Sequence, residues 1–162
     1  LKVPSAFDNP YALPDAVSPH IAARNEGVVI DISHIEASFH ALSQHTDAVV
    51  VEGAGGFIVP LHEAPGQFAT SADLATRLRL PVILVVGLRL GCLNHALLTQ
   101  EAISRRGLTL AGWVANVIDP DMPEQAGNLG TLQQQLQAPL LAHWAWAPEA
   151  ASQTLALRLP QA

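Results

Sequence analysis

One stretch of this sequence joins an acidic side chain to a glycine-rich turn. The apolar run at residues 49–51 leads into Glu52, Gly53, Ala54, Gly55 and Gly56. A carboxylate at the end of a buried strand needs a partner, because an unpaired buried charge is costly. Glycines let the backbone turn sharply and let a ligand approach it closely. The pattern indicates a site for a metal ion or a phosphate-bearing ligand; the alternative is a tight turn with a solvated glutamate.

Polar residues also follow two other apolar runs. Asn116 comes directly after residues 108–115, and its amide carries both a donor and an acceptor, which suits the edge of a nucleotide base. Arg89 and Asn94 flank a glycine-containing turn before a predicted helix, an arrangement that binds anions. A turn-forming asparagine and a purely structural turn remain the alternatives. Cys92, within that turn, is interpreted as a packing residue because no base is placed beside it.

The elements that must position these residues alternate between strands and helices. Apolar runs predict buried strands over residues 47–52, 80–87, 108–115 and 138–142. Apolar residues at helical spacing predict helices over residues 18–26, 31–44, 71–79, 93–106, 124–136 and 148–157. Residues 1–20 are mainly loop, and residues 62–68 are a loop with Pro65 and Gly66. The alternation predicts a three-layer α/β fold with a mainly parallel sheet, as a single domain over residues 1–162.

Composition excludes several classes of function. The 162 residues are 49% hydrophobic and 14% charged, so they can bury a core, and the formal charge of −6 argues against a nucleic-acid or anionic-membrane surface. Cys92 is the single cysteine, which rules out an internal disulfide and favours the reducing cytoplasm. The longest apolar run, residues 80–88, is too short to span a bilayer, and no secretory signal pattern opens the chain.

Several segments together resemble dethiobiotin synthetases, a branch of the P-loop nucleotide-binding proteins. The similar segments are Val-Glu-Gly-Ala-Gly-Gly-x-x-x-Pro-Leu at residues 51–61, residues 80–96 and residues 107–116, with Asn-Pro-Tyr at 9–11 and Ser-Pro-His at 18–20. They stand in one order between residues 9 and 147. The resemblance implies a P-loop NTPase-like fold and an ATP-dependent cyclo-ligase of biotin biosynthesis. Such an enzyme forms the ureido ring of dethiobiotin from 7,8-diaminononanoate and CO2 through a carbamate, with Mg²⁺ as cofactor and ATP as co-substrate.

The resemblance also assigns roles to particular residues. Glu52 matches the magnesium-binding acid and is the catalytic candidate, while Asn116 matches the residue that reads adenine. Nucleotide contacts are further expected from Gly53, Ala54, Gly55, Gly56, Ala145, Trp146 and Ala147. The substrate carboxylate is expected at a helix start that the partner subunit of a homodimer contributes, at Gly91, Cys92, Leu93 and Asn94.

Two features depart from that family. The sequence contains no Gly-Lys-Thr phosphate loop, and its one lysine is Lys2, although such a lysine neutralises the β- and γ-phosphates. The expectation is therefore a chain that lacks the first strand and helix of its sheet, is N-terminally incomplete, and is inactive by itself. Residues 142–145 read Ala-His-Trp-Ala where the family has Gly-x-Ile-Pro. The alternatives are a non-catalytic binding or dimerisation module, or another P-loop relative such as a cobyrinic acid amidating synthase or a partitioning ATPase.

Overall fold

The structure is a computed structural model that describes residues 5–64 and 66–147. Its residues fall into two compact units, unit 1 over Leu1–Arg79 and unit 2 over Leu80–Ala162. Each unit is described by itself, and the single-domain interpretation stays a prediction. None of the described helices is long and apolar enough to cross a membrane.

Unit 1 combines four helices with a small antiparallel sheet. The helices are α1 (Ser5–Asp8), α2 (Pro19–Asn25), α3 (Ile32–Ser43) and α4 (Ser71–Leu78), and the strands are β1 (Pro60–Ala64) and β2 (Gln67–Thr70). Helix α3 begins where the carboxylate of Asp31 accepts a hydrogen bond of 2.8 Å from the backbone N–H of Ser33. Its residues Ile32 and Ile35 pack on a small core formed by Ala23, Ile30 and Leu61.

Unit 2 contains the predicted parallel sheet. Strands β3 (Val82–Leu88), β4 (Leu110–Val117) and β5 (Leu140–Trp144) lie in sequence order, joined by helices α5 (Cys92–Arg105) and α6 (Gln125–Gln135). Alternate strand residues such as Leu88 and Trp113 pack with Ala96 of α5 and Leu132 of α6 in one core. Since strands joined by helices can run parallel, the α/β class with a parallel sheet is confirmed.

The predicted strand over residues 47–52 is wrong. The structure leaves residues 48–54 without regular secondary structure, and 93% of the Val50 surface is exposed. Branched apolar residues suit a strand only where a neighbouring strand pairs with their backbone, and no strand in the described part of the chain pairs with this run.

Smaller differences concern two loops and one boundary. The predicted loop over residues 62–68 contains the β1–β2 hairpin, whose turn includes Gly66 at φ 76°. Residues 5–8, predicted as loop, form α1. Strand β5 begins and ends two residues later than the predicted strand over 138–142, so His143 and Trp144 belong to the sheet. The helix predicted over residues 148–157 lies outside the described residues.

Candidate functional site

The glycine segment, defined as residues 52–56, lies in unit 1 and is exposed to solvent along its whole length. Gly55 has a φ of 92°, a conformation that only glycine adopts without strain, so the sequence requires a glycine at this turn. The carboxylate of Glu52 has no hydrogen bond or ion pair to any residue that the structure describes. Glu52 therefore lies in an open segment and not at the end of a buried strand, as the sequence predicted. Its carboxylate oxygens are available to a ligand.

The far end of this segment is attached to the start of helix α4. The hydroxyl of Ser71 donates to the carbonyl oxygen of Phe57 at 2.7 Å and accepts from the backbone N–H of Val59 at 3.1 Å. The sequence did not predict a role for Ser71, because its contact with Phe57 spans 14 residues and no local pattern indicates it.

Helix α4 begins with a capping box. The Thr70 hydroxyl accepts from the backbone N–H of Asp73 at 3.4 Å, and the Asp73 carboxylate accepts from the backbone N–H of Thr70 at 2.8 Å. The spacing Thr-x-x-Asp was a usable signal for this box, although the sequence analysis did not use it.

The candidates of unit 2 gather at the carboxyl ends of the parallel strands. In the sheet register, Asn116 of β4 lies between Gly87 of β3 and Trp144 of β5. Directly opposite residues point to the same face of a sheet, so these three residues share one face. The predicted nucleotide contacts Ala145, Trp146 and Ala147 follow directly after β5, beside Asn116. The side chain of Asn116 is half-buried and has no hydrogen-bond partner among the described residues.

Helix α5 begins at the turn that the sequence marked as an anion site. Gly91, at φ 93°, precedes the helix, and no side chain caps it. The first N–H groups of a helix lack partners within the helix, so this start presents donors to an anion. The thiol of Cys92 is only 2% exposed and packs in the core of unit 2, which confirms its packing role, and its backbone N–H already donates to the Arg89 carbonyl at 3.0 Å. Leu93 is half-buried and Asn94 is exposed.

A cavity in unit 1 was not foreseen from the sequence. It has a volume of about 370 Å³ and includes His20, His62 and Glu63 in its wall. The Nε2 atom of His20 lies 3.8 Å from the Glu63 carboxylate, and its buried Nδ1 atom has no partner in the described part of the chain. The described residues contain no group of three or more His, Cys, Asp or Glu side chains that could hold a metal ion.

Comparison with known proteins identifies the family. The family model described as an AAA domain matches residues 1–154. The chain is 53% identical, over 99% of its own length and 73% of the relative, to the ATP-dependent dethiobiotin synthetase BioD of Aromatoleum aromaticum. This chain belongs to the dethiobiotin synthetase family.

Two further dethiobiotin synthetases are similar to this chain, which matches a different share of each. The protein of a Janthinobacterium strain is 52% identical over 86% of this chain and 57% of its own length. That of Xanthomonas oryzae is 45% identical over 94% of this chain and 67% of its own length. The chain thus spans between about half and three quarters of the dethiobiotin synthetases it matches.

Residues 142–145 span the end of strand β5. Trp144 is the last residue of that strand and lies opposite Asn116 in the register. The indole Nε1 atom of Trp144 is buried and has no hydrogen-bond partner within the described residues. Trp144 therefore puts a large aromatic residue next to Asn116, the candidate adenine-reading residue.

Proposed function

We propose that the gene product that contains this chain carries out ATP-dependent dethiobiotin synthesis, with 7,8-diaminononanoate, CO2 and ATP as substrates. The observation that carries the proposal is the 53% identity, across 99% of the chain, to a protein named ATP-dependent dethiobiotin synthetase. An open glycine segment with an unpartnered acid, and an uncapped helix start, supply groups suited to phosphate and carboxylate ligands. The single cysteine fits a cytoplasmic enzyme.

The proposed reaction has three balanced steps. One amine of the substrate adds to CO2 and loses a proton, which gives a carbamate. A carbamate oxygen attacks the γ-phosphorus of ATP and ADP leaves, so the carbonyl carbon gains a phosphate leaving group. The second amine attacks that carbon and loses a proton, phosphate departs with the bonding electron pair, and the ureido ring closes. Since phosphoryl transfer depends mainly on positioning and electrostatic stabilisation, the residues of this chain bind and orient the reactants.

Glu52 fits the role of a magnesium ligand. Its carboxylate is exposed and has no partner in the residues that the structure describes, so binding a cation would break no existing contact. Mg²⁺ prefers oxygen ligands and is bound by one or two carboxylates together with substrate phosphates, which makes one free carboxylate sufficient here. When bound, the ion neutralises charge on the phosphates. We assign to the backbone of residues 53–56 the contacts along the nucleotide and the carbamate.

Asn116 and the residues after β5 are proposed to hold the adenine. The amide of Asn116 has a free donor and a free acceptor at the carboxyl end of a parallel strand, where ligands of open α/β sheets bind. Residues 145–147 begin beside it and supply backbone N–H and C=O groups.

We assign the substrate carboxylate to residues 91–94 of a second copy of the chain, in a homodimer. The start of helix α5 supports this assignment, because no side chain of the described residues caps the N–H groups that follow Cys92 and the helix dipole favours an anion. Leu90, immediately before Gly91, is 92% exposed, which agrees with apolar surface available to a partner.

A direct assay of the gene product tests the proposal. The gene product is supplied with 7,8-diaminononanoate, bicarbonate as a source of CO2, ATP and Mg²⁺, and dethiobiotin and ADP are measured by mass spectrometry. We expect both products in equal amounts and neither when ATP is omitted. ADP release without dethiobiotin would contradict the proposal. Because Lys2 is the one lysine of the 162 residues, we expect those residues alone to form no dethiobiotin.

A further inference from the structure

Ser71 joins the first turn of helix α4 to the residues that follow the glycine segment. Its hydroxyl donates to the Phe57 carbonyl at 2.7 Å, with the Gly56 carbonyl also within reach at 3.3 Å. The same oxygen accepts from the N–H of Val59 at 3.1 Å, and the N–H of Ser71 donates to the Val59 carbonyl at 2.9 Å. Both backbone polar groups of Val59 thus bond to this one residue, which also bonds to the carbonyls of Gly56 and Phe57.

Ser71 is itself held firmly. Helix α4 begins at Ser71, directly after the Thr70 cap, and the Thr70–Asp73 capping box fixes the backbone on both sides of it. The next residue, Ala72, is completely buried. The anchor therefore belongs to a packed, capped helix start rather than to a mobile loop.

The glycines of the glycine segment have few side-chain neighbours among the described residues. A Cβ atom added at Gly53 would meet nothing within 4 Å, and one added at Gly55 or Gly56 would approach only the side chain of Val59, at 3.9 Å. Val59 is also the residue whose backbone Ser71 fixes on both sides. Glycine backbones have the largest conformational freedom, so an unanchored segment would have to be ordered when a ligand binds.

We propose that Ser71 is a positioning residue for the glycine segment. It fixes Gly56 and Phe57 to helix α4, which presents the preceding backbone and Glu52 to the nucleotide in an ordered conformation. This role rests on the proposed function, because the bound ligand is taken to be magnesium–ATP. Ser71 itself touches neither the nucleotide nor the reacting atoms.

Steady-state kinetics of three variants of the gene product separate positioning from general stability. Ser71→Ala removes the hydroxyl, Ser71→Thr keeps it, and Thr76→Ala removes a hydroxyl of the same helix that bonds only to the Ala72 carbonyl. We expect Ser71→Ala to raise the KM for magnesium–ATP about fivefold, the factor that one net hydrogen bond corresponds to, with a less than about twofold change in kcat. Ser71→Thr is expected to restore the KM, and Thr76→Ala to leave it unchanged.

A purely structural role gives a different result. Loss of folded protein lowers kcat per mole of enzyme without raising the KM of the molecules that remain folded. An unchanged KM in Ser71→Ala, or an equal rise in Thr76→Ala, would overturn the proposal. If the unmodified gene product forms no dethiobiotin at all, it is the proposed function that fails.

Amide hydrogen exchange tests whether Ser71 holds the backbone of Val59 and needs no activity assay. In the unmodified protein, we expect the N–H of Val59 to exchange slowly and those of Gly53 and Gly55 to exchange fast. Ser71→Ala should speed exchange at Val59 about fivefold or more, while Thr76→Ala should not. Fast exchange at Val59 in the unmodified protein would show that Ser71 does not hold this segment, even if the Ser71→Ala variant cannot be folded.

Discussion

The glycine segment and the strand ends of unit 2 both carry polar candidate residues, but different contacts hold their backbones. Asn116 is fixed by a parallel strand with a neighbour on each side, above a core that contains Trp113. Residues 52–56 have no strand partner in the described part of the chain and are anchored beyond Gly56 through Ser71. One candidate region is therefore held by the sheet and its core, and the other by a few hydrogen bonds to a helix start.

This difference has a consequence for binding. A group on a packed strand is already ordered, so a ligand gains its contact without a further ordering cost. A glycine segment must lose conformational freedom when it closes on a ligand, but it can also approach phosphate oxygens more closely than a chain with side chains. We therefore expect substitutions in the core of unit 2 to act mainly on stability and those in the glycine segment mainly on ligand binding.

The largest effect should come from the core below the strand ends. Leu88, at the end of β3, is completely buried, and Leu88→Ala should lower the free energy of unfolding by about 2–5 kcal/mol. Val50→Ala, at a position 93% exposed, is the control and should change it by less than about 0.5 kcal/mol. Urea denaturation measures both. Equal losses in the two variants would mean that the strand end is not supported by its core.

Two glycine substitutions compare the regions directly. A Cβ atom at Gly112 of β4 would lie 2.5 Å from the buried side chain of Leu141, so Gly112→Ala should destabilise by about 1–3 kcal/mol. Gly53→Ala meets open space at an unstrained backbone position and should leave the unfolding free energy within about 0.5 kcal/mol of the original. Thermal denaturation checks this order, and a greater loss in Gly53→Ala would refute the contrast between the regions.

The smallest effect concerns the nucleotide base. Asn116→Ala should weaken ATP binding by about 1 kcal/mol, close to fivefold in Kd, because one amide contact with the base is lost. Binding of 7,8-diaminononanoate should be unchanged, and isothermal titration calorimetry measures both ligands. A weaker affinity for the diamine with unchanged affinity for ATP would show that Asn116 contacts the diamine substrate and not the nucleotide.

The sequence predicted unit 2 better than unit 1. Continuous apolar runs ending in glycine or asparagine located β3 and β4, and helical spacing located α5 and α6, because these elements bury one continuous core. The β1–β2 hairpin was missed since its strands are short and the first is interrupted by the polar residues His62 and Glu63. Residues 49–51 have strand composition, but pairing depends on residues far away in the chain, which composition does not encode.

The sequence pointed to the candidate site residues but not to the hydrogen bonds that hold them in place. Glu52, Asn116 and the turn at Gly91 were recognisable because a carboxylate, an amide and a glycine stand at the ends of apolar runs. Ser71 was not, because its role depends on backbone carbonyls 14 and 15 residues away. Local patterns reveal groups that can do chemistry, whereas long-range hydrogen bonds decide how those groups are held.

The most direct test of the proposed site is the magnesium dependence of dethiobiotin formation in the Glu52→Gln variant of the gene product. Glutamine keeps the shape of the side chain and removes the charge, and Glu101→Gln, which breaks an exposed ion pair with Arg105, is the control. At limiting magnesium we expect the activity of Glu52→Gln to fall about 100-fold, because the loss of a ligand lowers the affinity for magnesium. Part of the activity should return as the magnesium concentration is raised. Glu101→Gln should titrate like the unmodified protein. Near-normal turnover of Glu52→Gln at low magnesium would contradict the assignment of Glu52 as a metal ligand.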